Sequence, residues 1–359
     1  MVETNISGNV IEVGPRMSDT EATIKSIVES THALVAELPE RVLYTYARLW
    51  QLETWIRRLV YIELRALAGN DWQRRIRGSQ RPLDADQRLT HMPTAERDPL
   101  SYVQFSELRR IISDHWRLFE PFLPPKSIWE AKLEEISQIR HRVAHFRKGH
   151  QDDLKRVVQL LRDLDQGFWR FCTSYNDPHP VLPQSDDLVE LHFLDLDQFP
   201  WGQVSDGKWV RTGFADPAAK INVTVEVLCR PWVAWSIPVD GKPGFLYAVT
   251  IHVRQERHLD YRQLIDSTLG VQEHLVHICL DTLGQSVRVT IPAILGAALI
   301  IQIVEIIYDA SLYCLRPGLS RFDVHDVQKL ADSLPEYVVG PENPLTFLTP
   351  DMPCSFFGA

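Results

Sequence analysis

The six residues Arg140-His-Arg-Val-Ala-His145 place a guanidinium and two imidazoles close together near the end of a predicted helix. A histidine can move a proton near neutral pH, and an arginine is a fixed cation for the charge that develops on phosphorus. Cleavage of RNA by its own 2′-hydroxyl needs these two functions and requires no metal. Arg140 and His145 are therefore candidate catalytic residues, with His141 beside them.

Helix geometry does not place Arg140 and His145 on one stripe. Residues five apart are rotated by about 140° net and lie about 7.5 Å apart along the axis. Their long side chains can still converge on one phosphate, and fraying of the helix before Gly149 would bring them closer. The alternative is that both residues are there because cations near a helix C-terminus favour the helix dipole.

Charge is unevenly distributed along the chain, whose formal net charge is −9. Residues 41–170 contain 24 Lys and Arg against 17 Asp and Glu, whereas the other residues contain 14 against 30. A basic part joined to an acidic part predicts a region that binds a polyanion such as RNA, beside a region that could repel or mask it. Arginine-rich codon usage would explain the high arginine content equally well.

Two further groups of charged residues accompany the motif. Glu53 and Arg57 lie one helical turn apart and can form an ion pair, which either supports the motif across a bundle or is an ordinary salt bridge. Four cations that follow His145 could hold flanking phosphates or form a solvated face. They are Arg147, Lys148, Lys155 and Arg156.

The elements that must position these residues are helical. Apolar residues at three- and four-residue spacings predict helices over residues 18–38, 40–68, 105–119, 127–147 and 152–175, with a long Arg-rich loop over 73–99. Mostly short connections favour an up-and-down helical bundle over residues 18–176, preceded by a flexible arm over 1–17.

The pattern changes after a proline-rich linker at residues 177–188. Residues 189–359 are predicted to form an α+β domain, and the last 25 residues are expected to wrap its surface. The expected strands, mostly antiparallel, cover 189–196, 209–213, 220–229 and 245–254, and the expected helices cover 261–283, 292–315 and 324–334.

Three segments together resemble the HEPN superfamily, in particular its Swt-like branch. They are Leu49–Glu63, Asp98–Glu107 and Ile136–His145. The motif of that family is an arginine followed several residues later by a histidine, often with a polar residue directly after the arginine. Arg140, His145 and His141 occupy these positions, and the resemblance covers about residues 35–175.

The resemblance implies an α-helical, metal-independent endoribonuclease, often a toxin or phage-defence effector, whose homodimer pairs two motifs at one composite site. It implies that Arg140 stabilises the phosphorane, that His145 is a general base or acid, and that His141 positions the substrate or assists. Some toxins of the family carry a tyrosine two residues after the histidine, which a partner nucleotidyltransferase modifies. Here Arg147 stands at that position, so control by that modification is in doubt.

Other functional classes have little support in the sequence. The five cysteines are scattered and odd in number, which predicts reduced thiols rather than disulfides or a zinc ribbon. Neither a signal peptide nor a membrane span is expected, which predicts a cytoplasmic protein. No cofactor or metal is expected, because the sequence contains no Walker loop, no dinucleotide glycine motif and no convincing metal site. Glu273, His274, His277 and Asp281 would share one helical face at a spacing that zinc could use, but without a H-E-x-x-H pattern or a nearby thiolate we interpret them as an ordinary helix surface.

Two alternatives to a nuclease remain. The chain could be a non-catalytic HEPN module, a dimerising scaffold that binds nucleotide or RNA. It could also be a regulatory or antitoxin-like component, with the acidic C-terminal domain as a surface for a protein partner or as an RNA mimic.

Overall fold

A computed structural model describes residues 3–4, 10–11, 39–76, 80–91, 98–176, 180–181, 187–197, 200–206, 208–211, 219–234, 239–318, 324–334, 338–339 and 355–359. The helix predicted for residues 18–38 lies outside the described residues. Within the predicted N-terminal arm, residues 3–4 and 10–11 are described, and they pair in an antiparallel manner.

The described residues include ten α-helices, none of them long and apolar enough to cross a lipid bilayer. The helices are α1 (Glu40–Ala68), α2 (Gln80–Gln87), α3 (Phe105–Asp114), α4 (Trp116–Phe119), α5 (Lys126–Ala144), α6 (Asp153–Asn176), α7 (Leu188–Phe193), α8 (Tyr261–Ser267), α9 (Ala297–Tyr313) and α10 (Val324–Ser333).

The same residues include twelve short strands. They are β1 (Glu3–Thr4), β2 (Val10–Ile11), β3 (Pro180–Val181), β4 (Trp201–Ser205), β5 (Lys208–Arg211), β6 (Ile221–Cys229), β7 (Phe245–Val253), β8 (Arg257–Leu259), β9 (His277–Leu280), β10 (Ser286–Pro292), β11 (Leu315–Pro317) and β12 (Val338–Val339).

The long helix α1 begins and ends where the sequence predicts. Pro39 precedes it, at an end of the helix where a missing N–H leaves no hydrogen bond unmade. Gly69 follows it with φ 53°, the left-handed conformation that glycine adopts at little cost. Its apolar residues Leu52, Ile56 and Leu59 are buried because they recur on one face.

The other N-terminal helices pack around α1. α1 contacts α3, α5 and α6, and their apolar faces share one core that includes Ile112, Leu161 and Phe168. α6 approaches the 3₁₀ turn after α4 so closely that a Cβ on Gly167 would lie 1.9 Å from the carbonyl oxygen of Phe122. Glycine is required at that position because any side chain would collide with backbone.

Two boundaries in this region differ from the prediction. The helix predicted for 105–119 is interrupted at His115 and divides into α3 and α4. α5 ends at Ala144, three residues before the predicted end, because Phe146 turns the backbone with φ 53°. His145 is therefore the C-cap residue of α5 rather than part of its regular turns.

A six-stranded sheet forms the core of the C-terminal half, in the order β12-β9-β10-β7-β6-β3. The neighbours are antiparallel, except that β12 pairs parallel to β9. Valines 225, 249 and 289 lie in register across the three central strands. α9 packs against this sheet through Ile300 and Val304, so helices and a mainly antiparallel sheet share this half of the chain.

Several elements of the C-terminal half were predicted wrongly. Residues 188–193 form helix α7 instead of a strand, because Asp187 caps it by accepting hydrogen bonds from the N–H groups of Val189 and Glu190. The helix predicted for 261–283 ends at Ser267, and β9 occupies part of the same span. β10 was not predicted, although Val287, Val289 and Ile291 alternate with polar residues as they do in a strand.

Two predicted loops contain regular structure. The Arg-rich loop at 73–99 includes α2. The proline-rich linker includes β3, which pairs with β6 at the edge of the sheet, where a proline does not interrupt the hydrogen bonds between strands.

The C-terminal half of α1 is buried against the sheet. The hydroxyl of Tyr61 donates a hydrogen bond to the carbonyl of Val276 at 2.8 Å. The carboxylate of Glu63 and the guanidinium of Arg230 form an ion pair in which both side chains are fully buried. Trp232 donates to the same carboxylate at 2.5 Å. One helix therefore belongs to the bundle core at one end and to the contact with the sheet at the other.

The final described residues, 355–359, pack on the helical bundle. The prediction that they lie on the surface of the C-terminal domain is therefore wrong for these residues. The ring of Phe356 lies 4.8 Å from that of Trp55 on α1, and Phe357 is buried against Phe168 on α6. Arg48 donates hydrogen bonds to the carbonyls of residues 357 and 358. The free energy gained by burying these aromatic rings outweighs the conformational entropy lost when the short segment is ordered.

Candidate active site

The guanidinium of Arg140 is held by a carboxylate from another helix. Its Nε donates to Oε2 of Glu53 at 2.7 Å and its Nη2 donates to Oε1 at 3.3 Å. The ring of Phe105 lies below, 5.6 Å from Cζ, at the distance of a cation–π contact. The Arg140 side chain nevertheless remains 40% exposed, so it can still reach a ligand from solution.

Glu53 connects two arginines. It accepts from Arg140 and also from Arg57, one turn later on α1, and Arg57 in turn donates to the carbonyl of Leu100. The predicted ion pair of Glu53 and Arg57 is thus present. Arg57 thus fixes the position of the Glu53 carboxylate, which in turn orients Arg140. Together the three side chains connect α1, α5 and the turn before α3.

The two histidines of the motif lie on the adjoining side of α5. The rings of His141 and His145 have their centroids 4.4 Å apart at an angle of 64°, and both residues are exposed. A helix rotates by 100° per residue, so these side chains leave α5 about 100° and 140° from Arg140. The structure brings the two imidazoles together and places Arg140 on a different side of the same helix end.

The turn after His145 has the hydrogen bonds of a Schellman motif. The N–H of Arg147 donates to the carbonyl of Arg142 at 2.9 Å, and the N–H of Phe146 donates to the carbonyl of Val143 at 3.1 Å. Glycine usually occupies the left-handed position of this motif, whereas here it is Phe146, whose side chain is 98% exposed. An exposed aromatic ring in an unfavourable backbone conformation therefore directly follows His145.

Arg140 lies in an open cleft of about 550 Å³ between α1, α5 and the turn before α3. Val143 and Ala144 of α5 line it beside Arg140, and the small Ala144 leaves space there. The charged lining residues are Glu53, Arg57, Arg58, Asp98 and Arg140. Three guanidiniums against two carboxylates give this cleft a positive balance, which suits an anionic ligand.

The cleft also contains residues that the sequence did not single out. Tyr46 and Trp50 line it from α1 and are exposed, and Arg58 lines it close to the sheet domain. Nη1 of Arg58 lies 3.1 Å from Nε2 of His277. Arg58 follows Arg57 in the segment that carries the resemblance, but sequence spacing alone could not have shown that it faces the cleft.

The four predicted RNA-binding cations are only partly brought together. Lys148 and Arg156 line a second cleft of about 550 Å³ beside the motif, and Arg156 is paired with Glu135. Lys155 lies 3.9 Å from Asp152 and is largely exposed, and Arg147 is exposed after the turn. This second cleft and Arg140 lie on opposite sides of the C-terminal end of α5.

Asp153 is a further residue of the second cleft that sequence reasoning missed. It is buried, accepts from Nε of Arg142 at 3.2 Å, and accepts from the backbone N–H of His150 at 2.9 Å. Burial raises the pKa of its carboxyl, but these hydrogen bonds and charges outweigh burial, so the pKa is lowered. Its position in the first turn of α6 was the available signal, since acids there stabilise a helix N-terminus.

Glu273, His274, His277 and Asp281 do not share the helical face that their spacing suggested, because they do not lie on one helix. His277 begins β9 and is buried, whereas His274 lies in a 3₁₀ turn with its Nδ1 2.6 Å from Nδ2 of Asn70. Asp281 accepts a hydrogen bond from Ser286 at 2.5 Å. Within the described ranges, no group of three or more His, Cys, Asp or Glu residues has a metal-binding arrangement.

No model of a known protein family matches the chain, and no curated protein or solved structure matches it either. The function proposed below therefore rests on the contacts of the chain's own residues and on the resemblance of three of its segments to the HEPN superfamily.

Proposed function

We propose that the chain is a metal-independent endoribonuclease that cleaves RNA through attack of the 2′-hydroxyl. One observation carries the proposal. The Arg140 guanidinium stands at the wall of an open cleft, held but still accessible, and the exposed imidazoles of His141 and His145 lie on the adjoining side of the same helix end. A fixed cation and two proton-transfer groups are the components that this reaction requires.

In the proposed reaction the 2′-hydroxyl gives its proton to one histidine while its oxygen bonds to phosphorus. The P–O5′ bond then breaks, and a protonated histidine returns a proton to the leaving oxygen. The products are a 2′,3′-cyclic phosphate and a 5′-hydroxyl. His145 acts as general base or acid, His141 positions the substrate or assists, and Arg140 stabilises the negative charge of the phosphorane.

In a single copy, Arg140 and the two histidines are poorly placed to contact the same phosphate, and a homodimer would remove this difficulty. Arg140 and the His141–His145 pair leave α5 in different directions, so one phosphate contacts both sets most easily when two copies of this helix end face each other. We therefore propose a composite site in which one copy supplies the arginine and its partner supplies the histidine pair. Glu53 and Arg57 keep Arg140 extended into the cleft until a phosphate competes for it.

The wider assignment follows the resemblance. The helices of residues 40–176 would form the HEPN-like bundle, and the chain would be a toxin or phage-defence effector in the cytoplasm. The domain of residues 189–359 would sense a trigger, recruit a protein regulator or antitoxin, or restrain the nuclease. Its net acidity favours a protein partner over RNA for that surface.

A second candidate is a non-catalytic HEPN module that binds RNA as a scaffold. The observation that favours it is the hydrogen-bonded contact of Arg140 with Glu53, because an arginine in an interhelical ion pair has a structural reason to be present. In that case the histidine pair would contribute to binding only.

Cleavage of a defined RNA in the presence of EDTA distinguishes the two functions. We expect wild-type protein to produce 2′,3′-cyclic phosphate ends, and we expect Arg140→Ala and His145→Ala each to lower the rate about a hundredfold or more. Arg109→Ala and His192→Ala are the matched controls and should leave the rate unchanged, since Arg109 pairs with Glu134 and His192 lies 2.9 Å from a carboxylate oxygen of Glu305, both outside the lining of the cleft.

If wild-type protein left the RNA intact and both motif variants bound it as tightly as wild type, the nuclease proposal would be contradicted and the scaffold would be favoured. Toxicity on expression in a bacterium, relieved by either motif substitution, is an independent measurement of the same activity. If removal of residues 180–359 left toxicity unaltered, a restraining function of the sheet domain would be wrong.

A further inference from the structure

Two aromatic side chains stand exposed at the cleft that contains Arg140. Tyr46 and Trp50 lie one turn apart on α1 and are 59% and 62% exposed, although most large apolar residues of this helix are buried on its other faces. Both line the cleft. Residues four apart on a helix present neighbouring side chains, so the two rings can form one surface.

The remainder of the cleft combines apolar side chains, such as Leu49 and Val143, with polar and charged ones. Arg140, Arg57 and Arg58 contribute guanidiniums, and Thr54 and Ser101 contribute hydroxyls. A wholly apolar partner would remove water from these guanidiniums and hydroxyls and offer no hydrogen bonds or charge in return, which is costly. Aromatic rings beside guanidiniums and hydroxyls instead match a nucleotide, whose base offers a flat face and whose phosphate and sugar offer charge and hydrogen bonds.

We infer that Tyr46 and Trp50 form a stacking platform for an unpaired base, so that the substrate class is single-stranded RNA. This inference rests on the proposed RNA-directed function and specifies its substrate. In a duplex the base faces are already covered by neighbouring base pairs and cannot stack on a side chain. A phosphate next to the stacked base then lies within the same cleft as Arg140. Its volume, about 550 Å³, is within the range of roughly 300–1,000 Å³ for sites that enclose a small ligand.

Binding of a short fluorescent RNA with 2′-O-methyl groups tests the platform, because this probe cannot be cleaved through its own 2′-oxygen. The full-length protein is titrated in EDTA and fluorescence anisotropy gives the dissociation constant. We expect Trp50→Leu and Tyr46→Leu each to weaken binding about tenfold, since loss of base stacking typically costs this much or more. Trp50→Phe should retain most of the affinity because it keeps a stacking ring.

Tyr44→Leu is the matched control. Tyr44 lies on the same helix and is 59% exposed, but it is outside the lining of the cleft, so its replacement should not change affinity. Annealing the probe to its complement should weaken binding by wild-type protein. Equal affinity of Trp50→Leu and wild type, or equal binding of duplex and single strand, would overturn the inference.

The outcomes separate this inference from the nuclease proposal. Cleavage that depends on His145, together with unchanged binding by Trp50→Leu, would overturn the platform alone. Weakened binding by Trp50→Leu without any cleavage by wild type would support the platform on a non-catalytic RNA-binding protein. Sedimentation velocity covers the remaining case. A change of oligomeric state by Trp50→Leu at unaltered RNA affinity would make the aromatic pair an interface between copies and would overturn the platform.

Discussion

Glu53 on α1 binds Arg140 on α5 through two hydrogen bonds, of 2.7 and 3.3 Å, across 87 positions of sequence. The same carboxylate also accepts from Arg57. A single acidic side chain therefore positions the candidate catalytic guanidinium, and it does so from α1, the helix that contributes most of the residues lining the cleft. The relationship makes Glu53 a positioning residue rather than a catalytic one.

Glu53→Gln should lower the free energy of unfolding by about 1–2 kcal/mol, because the amide accepts from the two guanidiniums without a compensating charge. Urea unfolding measures the change. Glu134→Gln is the control, since Glu134 pairs with Arg109 at the surface and its change should stay within about 0.5 kcal/mol. Equal losses in the two variants would show that the Glu53 contact has no special importance.

The buried pair of Glu63 and Arg230 should be the most sensitive point of the contact between α1 and the sheet. Glu63→Ala leaves a fully buried guanidinium without its partner, so we expect a loss of about 3–5 kcal/mol in unfolding free energy. The double variant Glu63→Leu with Arg230→Met removes both charges and should recover most of that loss. Thermal unfolding compares the three proteins, and a double variant no more stable than Glu63→Ala would contradict the prediction.

Sequence alone predicted the elements whose pattern is long and marked at both ends. α1 has an apolar stripe over many turns between Pro39 and Gly69, and its bounds are confirmed. β9 was missed because it is a short segment inside a span whose apolar spacing predicted a helix, and β10 was missed although its apolar residues alternate with polar ones as in a strand. The two strands are recognised by their pairing across the sheet. The end of α5 was misplaced because the expected signal, a glycine, is replaced by Phe146.

The candidate site shows the same limit. The spacing of Glu53 and Arg57 is local and predicted an ion pair, which is present. The contact of Glu53 with Arg140 joins distant segments, and no local pattern contains it. The exposure of Tyr46 and Trp50 was equally hidden, because an aromatic residue on an amphipathic helix is ordinarily assigned to the core.

The buried His277 should make stability depend on pH. Burial lowers the pKa of its imidazole well below the ordinary value, and the charges of Arg58 and Arg65 lower it further. Below about pH 6.5 the unfolded chain binds a proton at this residue and the folded chain does not, so stability falls as the pH falls, by up to about 1.4 kcal/mol per pH unit.

His277→Gln should remove that part of the slope, because glutamine does not titrate and can still accept from Arg58. Urea unfolding at several pH values between 7.5 and 5 gives the slope. Leu283→Gln is the control, since Leu283 is exposed and has no titratable group, so its replacement should leave the slope unchanged. The contributions of other histidines are common to all variants, so identical slopes for His277→Gln and wild type would contradict the assignment.

Phe357 should stabilise the helical bundle, although this residue is distant from the bundle in sequence. Its ring is buried and lies 5.1 Å from that of Phe168, and Arg48 donates to its carbonyl at 2.7 Å. Phe357→Ala should cost about 2–3 kcal/mol, less than the roughly 3–5 kcal/mol usual for a buried phenylalanine, because the segment can detach without unfolding the remainder. Leu269→Ala, at an exposed leucine, should change urea stability by less than about 0.5 kcal/mol, and an equally small effect of Phe357→Ala would contradict the packing described.

Phe146→Gly should stabilise the protein. The left-handed backbone at φ 53° costs a residue with a Cβ about 1–2 kcal/mol, whereas glycine adopts it freely. Part of this gain is offset by the greater freedom of glycine in the unfolded chain, so the expected net increase in unfolding free energy is about 0.5–1 kcal/mol. Phe146→Ala is the matched control, because it removes the same exposed ring but keeps the Cβ and should leave stability nearly unchanged. An equal gain in both variants would place the destabilisation in the exposed ring instead of the backbone.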